Sequence, residues 1–251
     1  MAHPGHELRV HHWTELHRPL AFVLTDGSGR NDTGRIDSSR RVLVAAKAKP
    51  ADCFGRWRDR EAYRIMLDQR AAEVQSVIDE IASALVAADV EQIASDAIEG
   101  YSPTHDLCSI VAESAARIAE HRLGRPIRHL EFPLEAEPGA IADTSGAIRI
   151  DLDEPAMERK LEAARTYDPL RGEVERALEN HSTAAFRSEW LSPAAPGRDL
   201  RQLAVQRGRD RPRYEDFGEQ RVAGGSYTEV LRFTQHWLPL AASLRRWAAD
   251  A

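Results

Sequence analysis

The sequence predicts an α/β protein with a mainly parallel sheet flanked by helices and a helical extension at its C-terminal end. Three observations carry that expectation. Pro19-Leu-Ala-Phe-Val-Leu-Thr25 is a continuous apolar run, the mark of a strand buried on both faces. It follows an amphipathic segment, Glu7 to His17, which reads as a helix and makes the pair the second half of a strand-helix-strand unit. Beyond it, segments of helical periodicity alternate with short strand-like runs as far as residue 152.

The chain has 251 residues, 42% hydrophobic and 29% charged, enough for one globular domain with a sizeable core. No apolar run approaches the ~18 residues of a membrane span. A formal net charge of −6 disfavours nonspecific nucleic-acid binding. Two cysteines, Cys53 and Cys108, build no disulfide framework and suit a reducing cytoplasm. The N-terminus has no basic-then-apolar signal pattern.

After the first strand, Asp26-Gly-Ser-Gly-Arg-Asn-Asp-Thr-Gly34 is a polar, glycine-rich loop at a strand's carboxyl end, where open parallel sheets place their ligands. Asp26 at its root is a metal-side or base candidate, or simply a turn aspartate. A helix is expected over Ile36 to Ala48 and a turn from Ala51 to Arg58. One long helix then spans Asp59 to Ala88, with Ile65, Leu67, Val74, Val77, Ile78, Ile81, Leu85 and Val86 as its apolar stripe. Val90 to Ser95 reads as a strand, Asp96 to Tyr101 as an acidic loop, and Asp106 to Leu123 as a helix. Two later strands are expected in Ile127 to Leu134 and Ala147 to Leu152, and solvated helices over Glu154 to Thr166 and Arg171 to His181. Pro193 to Gly197 marks a loop. Arg207 to Arg213, ahead of Tyr214 to Val222, suggests an anionic ligand site, and a helix from Thr228 to Ala249 ends the chain.

Chemistry concentrates in Met1-Ala-His-Pro-Gly-His-Glu-Leu-Arg9. His3 and His6 flank a Pro-Gly turn, and residues three apart on a helical turn share one side, so both imidazoles can face one point. His105 lies in Gly100-Tyr-Ser-Pro-Thr-His-Asp106, between an expected strand and an expected helix. On spacing alone, a His-x-x-His pair also fits two surface histidines.

Together, Ala2-His-Pro-Gly-His-Glu7, Val23-Leu-Thr-Asp-Gly-Ser28 and Pro103-Thr-His-Asp106 resemble the PIG-L/LmbE family of zinc-dependent N-deacetylases over about the first 135 residues. The resemblance implies a Rossmann-like fold and one domain, its motif-bearing core in residues 1–135 and a family-variable part in 136–251. It places His3 on the first zinc ligand, His6 on the family's aspartate ligand and His105 on the last histidine ligand. Three histidines with an open fourth position suit zinc or another divalent metal.

The departures bear on catalysis. Gly5 stands where the family has its general-base aspartate, Ser102 where it has a histidine that stabilises the tetrahedral intermediate, and Thr104 where it has an orienting aspartate. A surrogate base is therefore needed, and Asp96, Glu99, Glu7 and Asp26 are the candidates. His236 is read either as a replacement for the missing histidine or as a hydrogen-bonded core residue. An apolar run precedes the first motif in the family, whereas here only Met1 and Ala2 do. That implies a start assigned too late or a protein without the strand, and the first is favoured. The expectation is a metal-dependent amide hydrolase that deacetylates an amino sugar or similar small N-acyl metabolite. The alternative is a non-catalytic relative that binds a carbohydrate or a partner protein.

Overall fold

The computed structural model describes residues 1–29, 33–136, 140–141, 144–180, 186–195, 197–203 and 209–251. In chain order the elements are α1 (His11–His17), β1 (Leu20–Thr25), α2 (Ile36–Ala45), β2 (Lys49–Trp57), α3 (Asp59–Leu67), α4 (Ala71–Ala87), β3 (Gln92–Asp96), α5 (Pro103–Leu123) and β4 (Arg128–Phe132). They continue with β5 (Ile148–Asp151), α6 (Glu154–Arg165), α7 (Arg171–Asn180), β6 (Ser188–Pro193), α8 (Leu200–Leu203), α9 (Arg213–Ala223) and α10 (Leu238–Asp250). The protein is α/β, with both parallel and antiparallel strand pairs. No described helix is long and apolar enough to cross a membrane. The chain forms two compact units, one of residues 1–59 and 132–193, the other of 60–131 and 194–251.

In the first unit β1 runs parallel to β2, with register shifts on either side of Val23. On its other edge β1 accepts the two residues that open the chain. Met1 N donates to Phe22 O at 2.9 Å, Leu24 N to Met1 O at 3.0 Å and Thr25 N to Ala2 O at 2.9 Å, a parallel ladder two residues long. A 3-10 turn, His6–Val10, leads into α1, so the expected helix over Glu7 to His17 is two shorter pieces.

Glu189 on β6 binds α1. Its fully buried carboxylate accepts the His12 and Trp13 N–H groups at 2.9 and 2.8 Å and pairs with Lys160 Nζ at 2.8 Å. It serves as an N-terminal cap supplied from another element, favoured by the helix dipole. β5 and β6 pair antiparallel, Ile148 opposite Leu191. Asp153 caps α6 by accepting from Ala156 N at 2.8 Å.

In the second unit α5 packs against α4 and α10. Val77, Ile78, Ile81, Leu107, Ile110, Val111, Ile118, Leu240 and Leu244 form the buried faces. Pro103 at its first turn starts α5, and Gly124, with φ +67°, ends it. β3 lies beside β4. Across that pair, Ser95 Oγ meets His129 Nε2 at 2.8 Å. Glu131 carries a buried salt bridge to Arg198, and Ser109 Oγ donates to its Oε1 at 2.5 Å.

Several sequence expectations need correction. Residues 51–58 are not a turn but most of β2, whose pairing to β1 overrides the irregular pattern that Pro50, Asp52 and Gly55 give it. The long helix over 59–88 breaks at Asp68-Gln-Arg70, where Gln69 takes φ +55° and Arg70 N closes onto Ile65 O at 3.0 Å. The expected helix from Thr228 starts only at Phe233, as a π-helical turn that runs into α10. β6 and α9 had not been expected.

Burial lowers the His129 imidazole to about 4, the Glu131 charge opposing and the Arg198 charge adding to it. A base depressed below its unfolded value favours folding above about pH 6.5 and loses that contribution as pH falls towards 4. Urea titrations should show on the order of 3 kcal/mol less stability across that window from this group. His129→Gln should flatten that part of the profile, and an unchanged pH dependence in the variant would refute the assignment.

Candidate functional site

Three chain segments of the first unit end side by side at the carboxyl ends of parallel strands. The two-residue stub ends at His3, β1 ends at Thr25 and Asp26, and β2 leads into Asp59. Strand carboxyl ends are where open parallel sheets present ligand-binding groups. His3 Nδ1 lies 2.6 Å from Thr25 Oγ1 and 3.1 Å from Asp59 Oδ1. Gly29 N donates to the other Asp59 oxygen at 2.7 Å, which ties the glycine-rich loop to the same carboxylate. Burial works against the Asp59 charge, but the His3 ring, Thr25 and the Gly29 N–H outweigh it and hold the carboxyl well below the usual range.

His3 and His6 come together as their spacing implies, ring centroids 5.3 Å apart and nearly perpendicular. Two imidazoles bound to one tetrahedral ion through nitrogens at roughly 2 Å have centroids about 5 Å apart, a separation that this pair matches. A carboxylate against one ring nitrogen is also the usual surrounding of a histidine that binds metal through the other. Among the described residues, no group of three or more His, Cys, Asp or Glu is arranged to hold a metal.

Gly5 makes this turn possible and excludes a carboxylate from it. Its φ is +108°, and a Cβ there would lie 2.4 Å from Leu170 Cδ1. Leu170, Tyr167 and Val42 form a buried cluster with Leu8 packed on it, filling that space. Gly27, with φ +67°, lets Pro4 and the Arg35 guanidinium come close, packing the glycine-rich loop on the His-Pro-Gly-His turn. Glu7 is wholly buried. Its Oε2 accepts the Gly5 N–H at 2.8 Å, and burial raises its carboxyl above the usual range. That makes Glu7 a brace for the turn.

Asp26 accepts the Ser28 N–H at 2.9 Å, an Asx turn at the root of its loop. Residues 30–32 of that loop lie outside the described residues.

The other candidates belong to the second unit. Asp96, wholly buried, ends β3. Glu99 donates its backbone N–H to Asp106 Oδ1 at 3.0 Å, and Gly100 does likewise at 3.2 Å. Burial raises the Asp106 carboxyl to about 7 against those two donors. His105, in the first turn of α5, stacks on Tyr101 at 6.5 Å, and Arg213 lies over Tyr101 and Phe217. His236 Nδ1 accepts the Arg232 N–H at 2.8 Å, and its carbonyl accepts from Gln69 at 2.6 Å, so the ring braces the π-helical turn. The proposed anion site loses its free charge. Arg209 pairs with Asp216, and Arg211 with Asp216 and Glu219 at 2.6 and 2.7 Å. Arg207 and Gly208 lie outside the described residues.

Sequence reasoning missed Asp59 as a site residue and gave Thr25 no role. The signal for Asp59 was a carboxylate just past a strand's carboxyl end, obscured because most of β2 had been read as a turn.

No protein-family model matches the chain, and neither a curated protein nor a solved structure matches it.

Replacing Gly5 by Ala or Asp should cost about 2 kcal/mol or more, through the disfavoured φ and the Leu170 overlap. In a chain of this size that is roughly 4–8 °C in Tm by calorimetry. Adding Leu170→Ala should not restore wild-type stability, because the backbone strain stays and a cavity is opened. An unchanged Tm in Gly5→Asp would overturn this account of the turn.

Proposed function

We propose that the protein is a metal-dependent hydrolase of an amide bond, acting on an N-acyl amino sugar or similar small metabolite, with His3 and His6 in its metal cradle. The observation that carries this is the 5.3 Å separation of the two rings with a carboxylate behind one of them. The substrate class rests on the resemblance to PIG-L/LmbE proteins, as does His105 as a further ligand. A Rossmann-like description of the fold belongs to the same reading, supported by the parallel β1–β2 pair and the strand ends at the site. The two buried cysteines, neither in a disulfide, support a cytoplasmic setting.

A divalent ion there would polarise an acyl carbonyl and acidify a water for attack on it. His3 and His6 would supply neutral nitrogen donors, Asp59 and Thr25 would hold His3, and Glu7 would hold the turn. The proton acceptor is not at position 5. Of the remaining carboxylate candidates, Asp26 belongs to the unit that carries His3 and His6.

One observation favours a second reading, a relative that binds a ligand without hydrolysing it. Leu170 packs apolar atoms where the resembled enzymes carry a carboxylate.

Chelator-treated protein titrated with zinc should bind about one equivalent. His3→Ala and His6→Ala should each weaken binding at least tenfold, while His121→Ala, a control on α5, should not. His105→Ala reads the ligand implied by the resemblance. Absence of zinc binding in wild type would sink both the cradle and the hydrolase. With zinc bound, acetate release from a panel of N-acetylated amino sugars separates the two readings. Replacing a true general base by its amide should lower turnover by about 10²- to 10⁴-fold with zinc affinity kept. Zinc binding without turnover on the panel would leave the binding relative.

A further inference from the structure

The hydrogen-bond partners of His3 dictate which of its nitrogens carries the proton. The Thr25 hydroxyl has one proton and two oxygen acceptors for it, Ala2 O at 3.2 Å and the Asp59 carboxylate, so at 2.6 Å from His3 Nδ1 it offers a lone pair. Asp59 Oδ1, 3.1 Å from the same nitrogen, is a carboxylate oxygen paired with the ring and accepts. Two acceptors facing one ring nitrogen require an N–H there. Asp59 Oδ1 is also buried, so its charge is poorly reached by water, and the ring edge of His3 and the Thr25 hydroxyl lie beside the carboxylate. The carboxylate cannot swing away. Gly29 N holds its second oxygen at 2.7 Å, and Ser28 Oγ lies 3.4 Å from the Asp59 N–H.

We propose that Asp59 and Thr25 are positioning residues that lock His3 as its Nδ1–H tautomer and so present Nε2 as a ready lone pair for a divalent cation. This rests on the metal reading of the His3/His6 pair and adds to it the ligating atom and the residues that select it. A free neutral imidazole places its proton mostly on Nε2, which would block that atom. Reversing the preference before any ion arrives removes a rearrangement from binding, the usual benefit of a carboxylate behind a metal-binding histidine.

The test uses ¹⁵N-labelled, chelator-treated protein at pH 8, with long-range ¹H–¹⁵N spectra of the His3 ring and zinc titrations on the same samples. Wild type should show protonated Nδ1 and unprotonated Nε2. Asp59→Asn and Thr25→Val should each move the ring towards the Nε2–H form and weaken zinc roughly 10- to 100-fold. Thr25→Ser, which keeps the hydroxyl, should retain both properties. Backbone amide spectra show that each variant is folded, and the wild-type tautomer needs no variant at all.

An Nε2–H tautomer in wild type overturns the proposal. So does an Asp59→Asn protein with wild-type ring signals and zinc affinity. Loss of zinc in Asp59→Asn as complete as in His3→Ala, with the tautomer unmoved, makes Asp59 a ligand and also overturns it. If wild type shows the Nδ1–H form and the variants shift it but no sample binds zinc, the positioning stands and the metal reading fails.

Discussion

The site in the first unit depends on the pinning of a short segment that carries little structure of its own. Residues 1–17 contain two ladder residues, a 3-10 turn and a seven-residue helix, too little to fold in isolation. One end is held by the hydrogen bonds of Met1 and Ala2 to β1. The other is held by Glu189, which receives the first amides of α1 and the Lys160 ammonium. Burying both charges is costly. What makes it tolerable is that the carboxylate also collects two backbone donors at a helix N-terminus. Removing Glu189 alone would strand Lys160 in the interior, a loss of about 3–5 kcal/mol by analogy with other broken buried pairs. Between these anchors the His-Pro-Gly-His turn has little freedom, and His3 emerges at a strand end because the ladder stops there.

How much of this could be read in advance follows from whether the cause was local. β1 was legible because an apolar run bounded by Pro19 and a glycine-rich loop has few other meanings. α5 was legible from its stripe and from Gly124 at its end. β2 was not, because Pro50, Asp52 and Arg56 break any alternation, and its strand character comes from partners in β1. The break at residues 68–70 escaped because Gln69 carries no propensity for φ +55°; tertiary packing puts it there. The same division holds in the site. The meeting of His3 and His6 is set by a four-residue turn and could be foreseen. Asp59 beside His3 is a product of parallel pairing, and Leu170 against Gly5 of helical segments far along the chain. Neither is written in spacing.

Charge shows the same limit. Arg209, Arg211 and Arg213 read together as an anion site, yet the acidic residues that neutralise the first two lie on α9, one to three turns away. Arg213 lies over aromatic faces instead. A basic cluster followed by Glu215, Asp216 and Glu219 at helical spacing therefore signals a folded ion-pair network as readily as a ligand site. Glu215 adds a structural task, accepting the Phe233 N–H at 2.8 Å and pairing with Arg232.

On the proposed reading, the exchange of a carboxylate for His6 changes the electrostatics as well as the ligand. A carboxylate donor cancels one unit of an ion's charge, whereas two imidazoles cancel none, so an ion held by His3 and His6 would polarise a bound acyl group more strongly. Asp59 restores part of the negative charge from beside His3 without occupying a coordination position. A more acidifying site also needs a weaker proton acceptor. That offers a physical route by which hydrolysis could outlast the loss of a base at position 5. The apolar contact of Leu170 with Gly5 and the histidine at position 6 then belong together, one removing the strong base and the other reducing the need for it.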